Sequence, residues 1–205
     1  TYGGSGCALT SLWDGVSWYP GSQSQSIKDY LLSLPALYSH LPNYYVHKLQ
    51  PAIVGPTDEI YTYKGAKLLL YERGKVNNTD NRMTYDYSEK EVLEVDLVDP
   101  GVDSYFIFNS VLPTIAGLNF SKPHPPHDEV KDEVYEYSFF GIPATFNRVQ
   151  NTDPNDDWND AKPIFTDGDG VLSKESLYYG CNHWNTTGHT FVCHDYQVLD
   201  ESFNH

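Results

Sequence analysis

An Asp-Gly-Asp-Gly turn is the feature that most constrains how this chain can fold. Asp167 and Asp169 alternate with Gly168 and Gly170, directly after a short apolar segment. Glycine adopts backbone conformations that other residues avoid, so the pattern predicts a sharp turn at the end of a strand. The polar segment that follows, residues 173–179, is predicted to be a helix. The turn therefore carries two short carboxylates at the junction between a strand and a helix.

Three interpretations of this turn are open at the level of the residues. The first is a calcium loop, with Asp167 and Asp169 as the third and fifth positions of an EF-hand. In that register the first ligand position is Phe165 and the twelfth is Ser176, and neither is a carboxylate. The second interpretation is an ordinary turn. The third is a catalytic acid, for which Asp169, with a glycine on each side, has the short side chain and the sharp turn required.

A histidine follows the turn in an order that suits the third interpretation. His205 lies a few dozen positions after Asp169. An acid at a strand-end turn followed by such a histidine is the order in which one class of serine hydrolase presents the last two members of its triad. Ser5, in the glycine-rich opening, is not assigned as the nucleophile, because Cys7 stands where the G-x-S-x-G pattern requires a second glycine.

The charge of the chain excludes several classes of partner. With 28 acidic and 13 basic residues, its formal net charge is −15, so it lacks the basic surface needed to bind nucleic acid or to form a polybasic membrane anchor. No apolar run is long enough for a transmembrane helix. His124 and His127 have a metal-like spacing, but the prolines between them argue against a metal site. Length and apolar content suit one domain.

The sequons and the start of the chain indicate the secretory pathway. Asn-x-Ser/Thr glycosylation sequons occur at Asn77, Asn119 and Asn185. The chain starts at Thr1 and has Met83 as its only methionine, from which we expect a start made by processing or truncation. We therefore predict a secreted or a lysosomal/vacuolar glycoprotein.

The three cysteines suggest one disulfide. Cys181 and Cys193 enclose a short loop that contains the Asn185 sequon. We predict a disulfide between them, with two buried thiols as the alternative. Cys7 would then be free or bonded to another chain.

Local patterns predict the remaining elements. Residues 84–97 have the pattern of a helix, and the apolar run within 99–117 is predicted to be a buried helix. Residues 134–140 form the strongest strand pattern and are predicted to be a buried strand of the main sheet. Residues 190–198 are predicted to be a further strand.

Four stretches resemble motifs of the lecithin:cholesterol acyltransferase and lysosomal phospholipase family, and along the chain they follow one another in the order that the family has. The segment FTDGDGVLSKESLYYGCNHW, at 165–184, is similar to its acid-bearing motif, D-G-D-[GD]-T-V followed by Ser, Cys and Trp. TYGGS, at 1–5, resembles the P-W-G-G-S that follows the strand after the nucleophile. GIPAT, at 141–145, resembles a G-x-P-T turn after a sheet strand, and LDESFNH, at 199–205, resembles the segment with the catalytic histidine.

The resemblance implies an α/β fold. Residues 1–205 would be the carboxy-terminal portion of one α/β-hydrolase domain, and an amino-terminal chain would complete its sheet. A lid-like region would cover residues 20–43 and a cap-like region 44–130. Residues 131–205 would hold sheet strands with the acid and base of the triad.

The same resemblance assigns roles to individual residues. Asp169 would be the triad acid and His205 the triad base, with His194 as a rival that we expect to be structural. The remaining assignments are the supporting turn residues Asp167, Gly168 and Gly170 and the substrate or lid residues Tyr2, Leu34, Leu37 and Tyr38.

The nucleophile and the oxyanion loop of this family lie upstream of P-W-G-G-S. The resemblance therefore implies a partner, an amino-terminal chain of the same precursor that carries the serine and the oxyanion hole. The implied function is a phospholipase A-like acyl hydrolase or acyltransferase that acts without a cofactor on a phospholipid or related lipid ester, at a transient membrane or lipoprotein surface. The alternative is a non-catalytic secreted glycoprotein, a degenerate hydrolase that binds lipid or calcium.

Overall fold

The computed structural model describes residues 9, 12, 30, 32–120, 134–139, 142–147, 158, 161–184 and 188–197, of which 134–139 and 142–147 are described by their backbone alone. The described helices are α1 (Pro35–Ser39), α2 (Tyr63–Glu72), α3 (Thr79–Ser88), continued by a π-helical turn (Glu89–Leu93), and α4 (Lys174–His183). The strands are β1 (Pro51–Val54), β2 (Ile60–Thr62), β3 (Ser104–Phe108), β4 (Leu112–Asn119), β5 (Val134–Phe139), β6 (Ile142–Asn147), β7 (Lys162–Gly168) and β8 (Phe191–Asp195).

Four of these strands form a mixed sheet in the order β2-β1-β4-β7. β1 and β4 run parallel, whereas β1 with β2 and β4 with β7 are antiparallel. β3 and β8 form a separate parallel pair, and β5 and β6 form an antiparallel pair. The fold is therefore α/β with a mixed sheet. Three strands of the main sheet come from residues 44–130, the region that the sequence analysis assigned to a cap.

The core lies where α1, α2 and α3 meet this sheet. Its fully buried residues include Ile53 on β1, Ile115 and Leu118 on β4, and Leu70 on α2. Gly117 permits the close approach of β4 to β1, because a Cβ at this position would collide with the backbone oxygen of Ala52.

Polar side chains cap the amino termini of three of the described helices. Thr62 accepts a hydrogen bond from the Gly65 N–H at 3.4 Å, Asn78 accepts one from the Asn81 N–H at 2.7 Å, and Ser173 accepts one from the Ser176 N–H at 3.4 Å. These are N-caps, which satisfy amide groups that the first helical turn leaves without partners. The Ser173 cap confirms the helix predicted after the aspartate turn, which continues to His183.

Several predicted elements differ from those observed. The buried helix predicted within 99–117 is wrong, because this segment forms β3 and most of β4. The helix predicted at 84–97 begins earlier, at Thr79, and ends in the π-helical turn. β5 confirms the strand predicted at 134–140, but it pairs with β6 and does not join the main sheet. Pro143 does not end the strand region, because it lies inside β6. β8 confirms the strand within 190–198.

The described part of the lid-like region packs against the core. Tyr38 is fully buried, its hydroxyl donates to the Leu32 carbonyl oxygen at 2.6 Å, and its ring lies 4.9 Å from that of Tyr85. Leu34 and Leu37 are half-buried, and Leu37 packs against the core. Tyr38, one of the predicted substrate or lid residues, therefore lies in the core. Within the described ranges, no helix is long and apolar enough to cross a membrane.

Candidate functional site at the aspartate turn

The turn after β7 is closed by the side chain of Asp169. Its Oδ1 accepts hydrogen bonds from the backbone N–H groups of Val171, at 2.8 Å, and Leu172, at 2.6 Å. The Asp169 N–H in turn donates to the Leu172 carbonyl oxygen at 3.1 Å. Two amide donors on one carboxylate oxygen fix the orientation of this side chain before any ligand binds.

The neighbouring glycines are required by close contacts at Gly168 and by the backbone conformation at Gly170. A Cβ on Gly168 would collide with the Leu172 carbonyl oxygen and with the Thr114 side chain. Gly170 has a φ of 89°, which side chains disfavour, and its N–H donates to the Thr114 Oγ1 at 2.9 Å. Thr114 on β4 thus joins the turn to the main sheet, and the turn is rigid on both sides of Asp169.

The two aspartates have different environments. Asp169 is half-buried, and among the described residues no donor contacts its second oxygen, Oδ2. Asp167 is exposed on β7. A strand precedes the turn where an EF-hand has a helix, and the described residues contain no group of three His, Cys, Asp or Glu side chains that could hold a metal ion. The geometry thus presents one oriented, partly available carboxylate oxygen.

The carboxyl ends of β3 and β8 lie on the same side of the fold as this turn. Because β3 and β8 are parallel, both chains leave the pair at the same edge. A short connection leads from Phe108 at the end of β3 to Leu112, which forms an isolated bridge with Asp169. Tyr196, directly after β8, therefore lies at the end of β3 from which the chain continues to Leu112, and its N–H donates to the Phe108 carbonyl oxygen at 2.9 Å.

Asp195 ties the end of β8 to this edge. Its Oδ1 accepts from the Ser110 N–H at 3.0 Å, and its Oδ2 accepts from the Ser110 hydroxyl and from the Tyr178 hydroxyl at 2.8 Å. The hydrogen bond from Ser110 is the main cause that holds the pKa of Asp195 below its usual value. Asp195 is therefore an ionised structural group that holds β8, β3 and α4 together.

The predicted disulfide is consistent with the structure. Cys181 at the end of α4 and Cys193 on β8 lie at disulfide-bonding distance, with Cα atoms 6.3 Å apart. The indole N–H of Trp184, the aromatic residue of the same motif, donates to the Leu97 carbonyl oxygen at 2.8 Å. The helix that follows the acid is thus attached both to β8 and to the 96–98 segment.

A buried histidine contacts the same helix. His47 is only 2% exposed, its Nε2 lies 2.8 Å from the Ser176 Oγ, and its Nδ1 lies 2.7 Å from the Gln50 Oε1. Desolvation by burial lowers its pKa, so the neutral form is favoured, although Gln50 and Glu175 oppose the shift. In the tautomer that satisfies both contacts, Nδ1–H donates to Gln50 and the Ser176 hydroxyl donates to Nε2. His47 thereby anchors the first turn of α4.

Other predicted site residues fall in three groups. His194 is exposed on β8, opposite Ile107, so it is not buried against Asp169. Asn77 is exposed before α3, whereas Asn119 is half-buried at the end of β4 between β1 and β7. The predicted residues outside the described ranges are Tyr2, Cys7, Asn185 and His205.

Sequence reasoning missed the partners of the turn. Thr114 contacts the turn itself, His47 contacts the helix after it and Ser110 contacts Asp195 on β8, and each is distant in sequence from its partner, so no local pattern links them. The one local signal was Ser173 followed by Ser176. This pattern predicts a helix cap, but it does not predict that His47 contacts Ser176.

The chain matches no protein-family model, and no curated protein matches it.

Proposed function

We propose that the chain is the carboxy-terminal portion of a serine-dependent acyl hydrolase or acyltransferase of the α/β-hydrolase type, and that it supplies the acid, Asp169, and the base, His205. The observation that carries the proposal is the Asp169 carboxylate. One of its oxygens is fixed by two backbone amides, and the other is available at a rigid strand-end turn. This is the arrangement that a triad acid needs in order to orient an imidazole.

The topology around the turn supports His205 as the base. β8 ends at the same edge of its pair as β3, and a short connection leads from β3 to Leu112, which bridges Asp169, so Tyr196 and Gln197 after β8 are the starting point of the path to His205. The hydrogen bonds of Asp195 to Ser110 and Tyr178 fix that starting point. His194 is the weaker candidate, because its exposed ring lies on the strand itself, opposite Ile107.

In the proposed mechanism, the two residues act on a serine of a partner chain. His205 takes the proton from the serine hydroxyl as the oxygen attacks the acyl carbonyl, and Asp169 stabilises the imidazolium that forms. His205 then returns the proton to the leaving alcohol. Water or another alcohol accepts the acyl group from the serine ester.

The partner and the substrate belong to the same proposal. An amino-terminal chain of the same precursor would carry the serine and the oxyanion donors. The substrate class, a phospholipid or related lipid ester, follows from the family resemblance of the Asp-Gly-Asp-Gly motif and its three companion stretches.

Asp169→Asn tests the assignment of the acid. Asn keeps the oxygen that accepts from Val171 and Leu172, so the thermal midpoint should change little. Loss of the negative charge should lower kcat for a fluorogenic ester by about 10³–10⁴-fold. The enzyme is assayed as assembled from the full precursor, and ester turnover and thermal unfolding are measured on the same sample. Asp167→Asn, an exposed aspartate two positions away, is the matched control and should retain most of the activity.

Unchanged activity in Asp169→Asn with normal folding would contradict this assignment. The histidines are separated in the same way: His205→Gln should be as inactive as Asp169→Asn, whereas His194→Gln should be active. If a fluorophosphonate labels no serine in the native protein, the hydrolase proposal fails and the non-catalytic binding protein is the better account.

A further inference from the structure

A cleft lies beside the π-helical turn that continues α3. Its volume is about 350 Å³, within the range of about 300–1,000 Å³ that is typical of small-molecule sites. Its walls come from the π-helical turn, from the irregular segment that follows it and from the chain after α1. The residues that line it are Ser39, Leu41, Asn43, 91–93 and 95–98.

The π-helical turn brings successive residues to this cleft. The Glu94 N–H donates to the carbonyl oxygen of Glu89, five residues back, at 2.8 Å, whereas an α-helix bonds residues four apart. In an α-helix, three successive residues spread over about 200° of the circumference, so they rarely line one cleft together. Here residues 91, 92 and 93 all do so. π-Helical turns are rare and occur frequently at functional sites, which is an independent sign of a binding site.

The buried part of the lining offers a ligand apolar surface. Leu41 and Leu93 are buried there, and Asn43 is 6% exposed. The Asn43 Nδ2 donates to the carbonyl oxygens of Val92, at 3.0 Å, and Val95, at 2.9 Å, and its Oδ1 accepts from two backbone N–H groups. Both donor protons and the acceptor oxygen of this amide are thus used within the chain, so Asn43 shapes the cleft and leaves no donor for a ligand.

The open side of the cleft combines apolar and acidic side chains. Val92, Val95 and Val98 are exposed, and a ligand that covered them would remove apolar surface from water. Glu91 and Asp96 are exposed as well. None of the described residues that line the cleft is basic. The lining therefore suits a ligand that is both apolar and positively charged.

The carboxylate of Asp96 is already oriented. Its Oδ1 accepts from the Tyr179 hydroxyl and from the Leu97 N–H, each at 2.8 Å. Among the described residues, no donor contacts the Asp96 Oδ2 or the carboxylate of Glu91. The carboxyl end of a helix also carries partial negative charge, which favours a cation near the π-helical turn.

An organic cation fits this lining better than a metal ion or an anion. The described residues contain no group of three His, Cys, Asp or Glu side chains that could hold a metal ion, and valine side chains supply no ligand atoms. The net charge of −15 attracts cations and repels anions.

We propose that this cleft binds a small organic cation, a protonated amine whose apolar body packs against Val92, Val95 and Val98 and whose ammonium group is attracted by the carboxylates of Glu91 and Asp96. The site uses no residue of the proposed triad. It therefore stands or falls independently of the proposed hydrolase function.

A matched pair of probes separates the charge from the apolar body. Isopentylammonium carries the charge, and isopentyl alcohol has the same carbon skeleton without it. Backbone amide chemical shifts of the full chain are followed during titration with each probe. We expect saturable shifts within residues 91–98, with an affinity for the ammonium ion about five- to tenfold higher than for the alcohol. Added salt should weaken binding of the ammonium ion and leave that of the alcohol unchanged.

Two substitutions test the carboxylates. Asp96→Asn keeps the oxygen that accepts from Tyr179 and Leu97, so the fold should be retained, and Glu91→Gln changes an exposed side chain. Each should weaken binding of the ammonium ion about three- to fivefold, and both together at least about tenfold, with no change for the alcohol. Glu72→Gln, which removes an exposed acid on α2 outside the cleft, is the matched control and should bind both probes as the wild type does.

Three results would overturn the proposal. The first is equal affinity for the two probes, or an ammonium ion that binds the double variant as well as the wild type. The second is the absence of saturation at millimolar ammonium ion, or shifts that lie outside residues 91–98. The third is calcium chloride that saturates the same amides and displaces the ammonium ion, which would indicate a metal site.

Discussion

Burial fixes the charge state of His47. Desolvation holds its pKa below the ordinary value of about 6.5, so the unfolded chain binds a proton at pH values where the folded chain does not. The free energy of unfolding should therefore fall as the pH drops below about 6.5, by up to about 1.4 kcal/mol per pH unit. Denaturant unfolding from pH 7.5 to 5 measures this slope.

His47→Gln removes the titrating group and should flatten the dependence over that range. The matched control, His40→Gln, changes an exposed histidine and should keep the wild-type slope. Equal slopes in wild type and His47→Gln would show that another group is responsible.

Gly168 is constrained by space on both sides. A Cβ there would meet the Leu172 carbonyl oxygen and the Thr114 side chain, and the backbone oxygen cannot move without opening the turn. Gly168→Ala should therefore lower the free energy of unfolding by roughly 1–3 kcal/mol. Gly65→Ala is the control, because its Cβ would make only ordinary contacts inside α2, and it should stabilise the protein by about 0.5–1 kcal/mol. Denaturant titration of both variants measures the difference.

At the scale of elements, the Cys181–Cys193 pair connects α4 to β8. Replacing both residues by serine should lower stability by about 2–4 kcal/mol, mainly because the unfolded chain gains freedom. A reductant should destabilise the wild type by a similar amount and leave the double variant unaffected. Peptide mapping without reduction should recover the two cysteines in one linked peptide, and its absence would contradict the pairing.

The elements also show which sequence signals were sufficient to predict a helix or a strand. α4 was predictable because its cap and the preceding turn lie within one short stretch. The β3–β4 segment was not, because an apolar run without clear periodicity suits a buried helix as well as a strand, and Pro113 and Gly117 became informative only once β1 and β7 lay beside it. α3 was placed too late in the sequence because Asn78 is the cap that begins it.

At the scale of the whole molecule, the main sheet gives the Asn77 and Asn119 sequons different exposure to solvent. Asn77 is exposed, whereas Asn119 is half-buried on a strand with neighbours on both sides. In a chain made in the secretory pathway, Asn77 should be glycosylated and Asn119 should not. Glycopeptide mass spectrometry measures both, and Asn77→Gln should remove one glycan whereas Asn119→Gln should remove none. An occupied Asn119 would contradict the sheet as described.

The overall topology lay beyond sequence reasoning for a physical reason. Strand pairing joins residues that are far apart in the chain, as in the parallel contact between β1 and β4. The His47–Ser176 contact spans 129 positions. The aspartate turn was predictable because glycine and aspartate determine its shape locally, but the groups that hold it in place come from the rest of the fold.

The hydrogen bonds of Asp169 have a consequence for mixtures of chains. Both turn contacts use one oxygen, which asparagine also possesses, so a chain with the Asp169→Asn substitution would keep its shape and still pair with the serine chain. Under the proposed mechanism it would occupy that partner without supplying an acid. In a cell that makes both forms, activity would then fall in proportion to the share of the variant, although the amount of folded protein would not change.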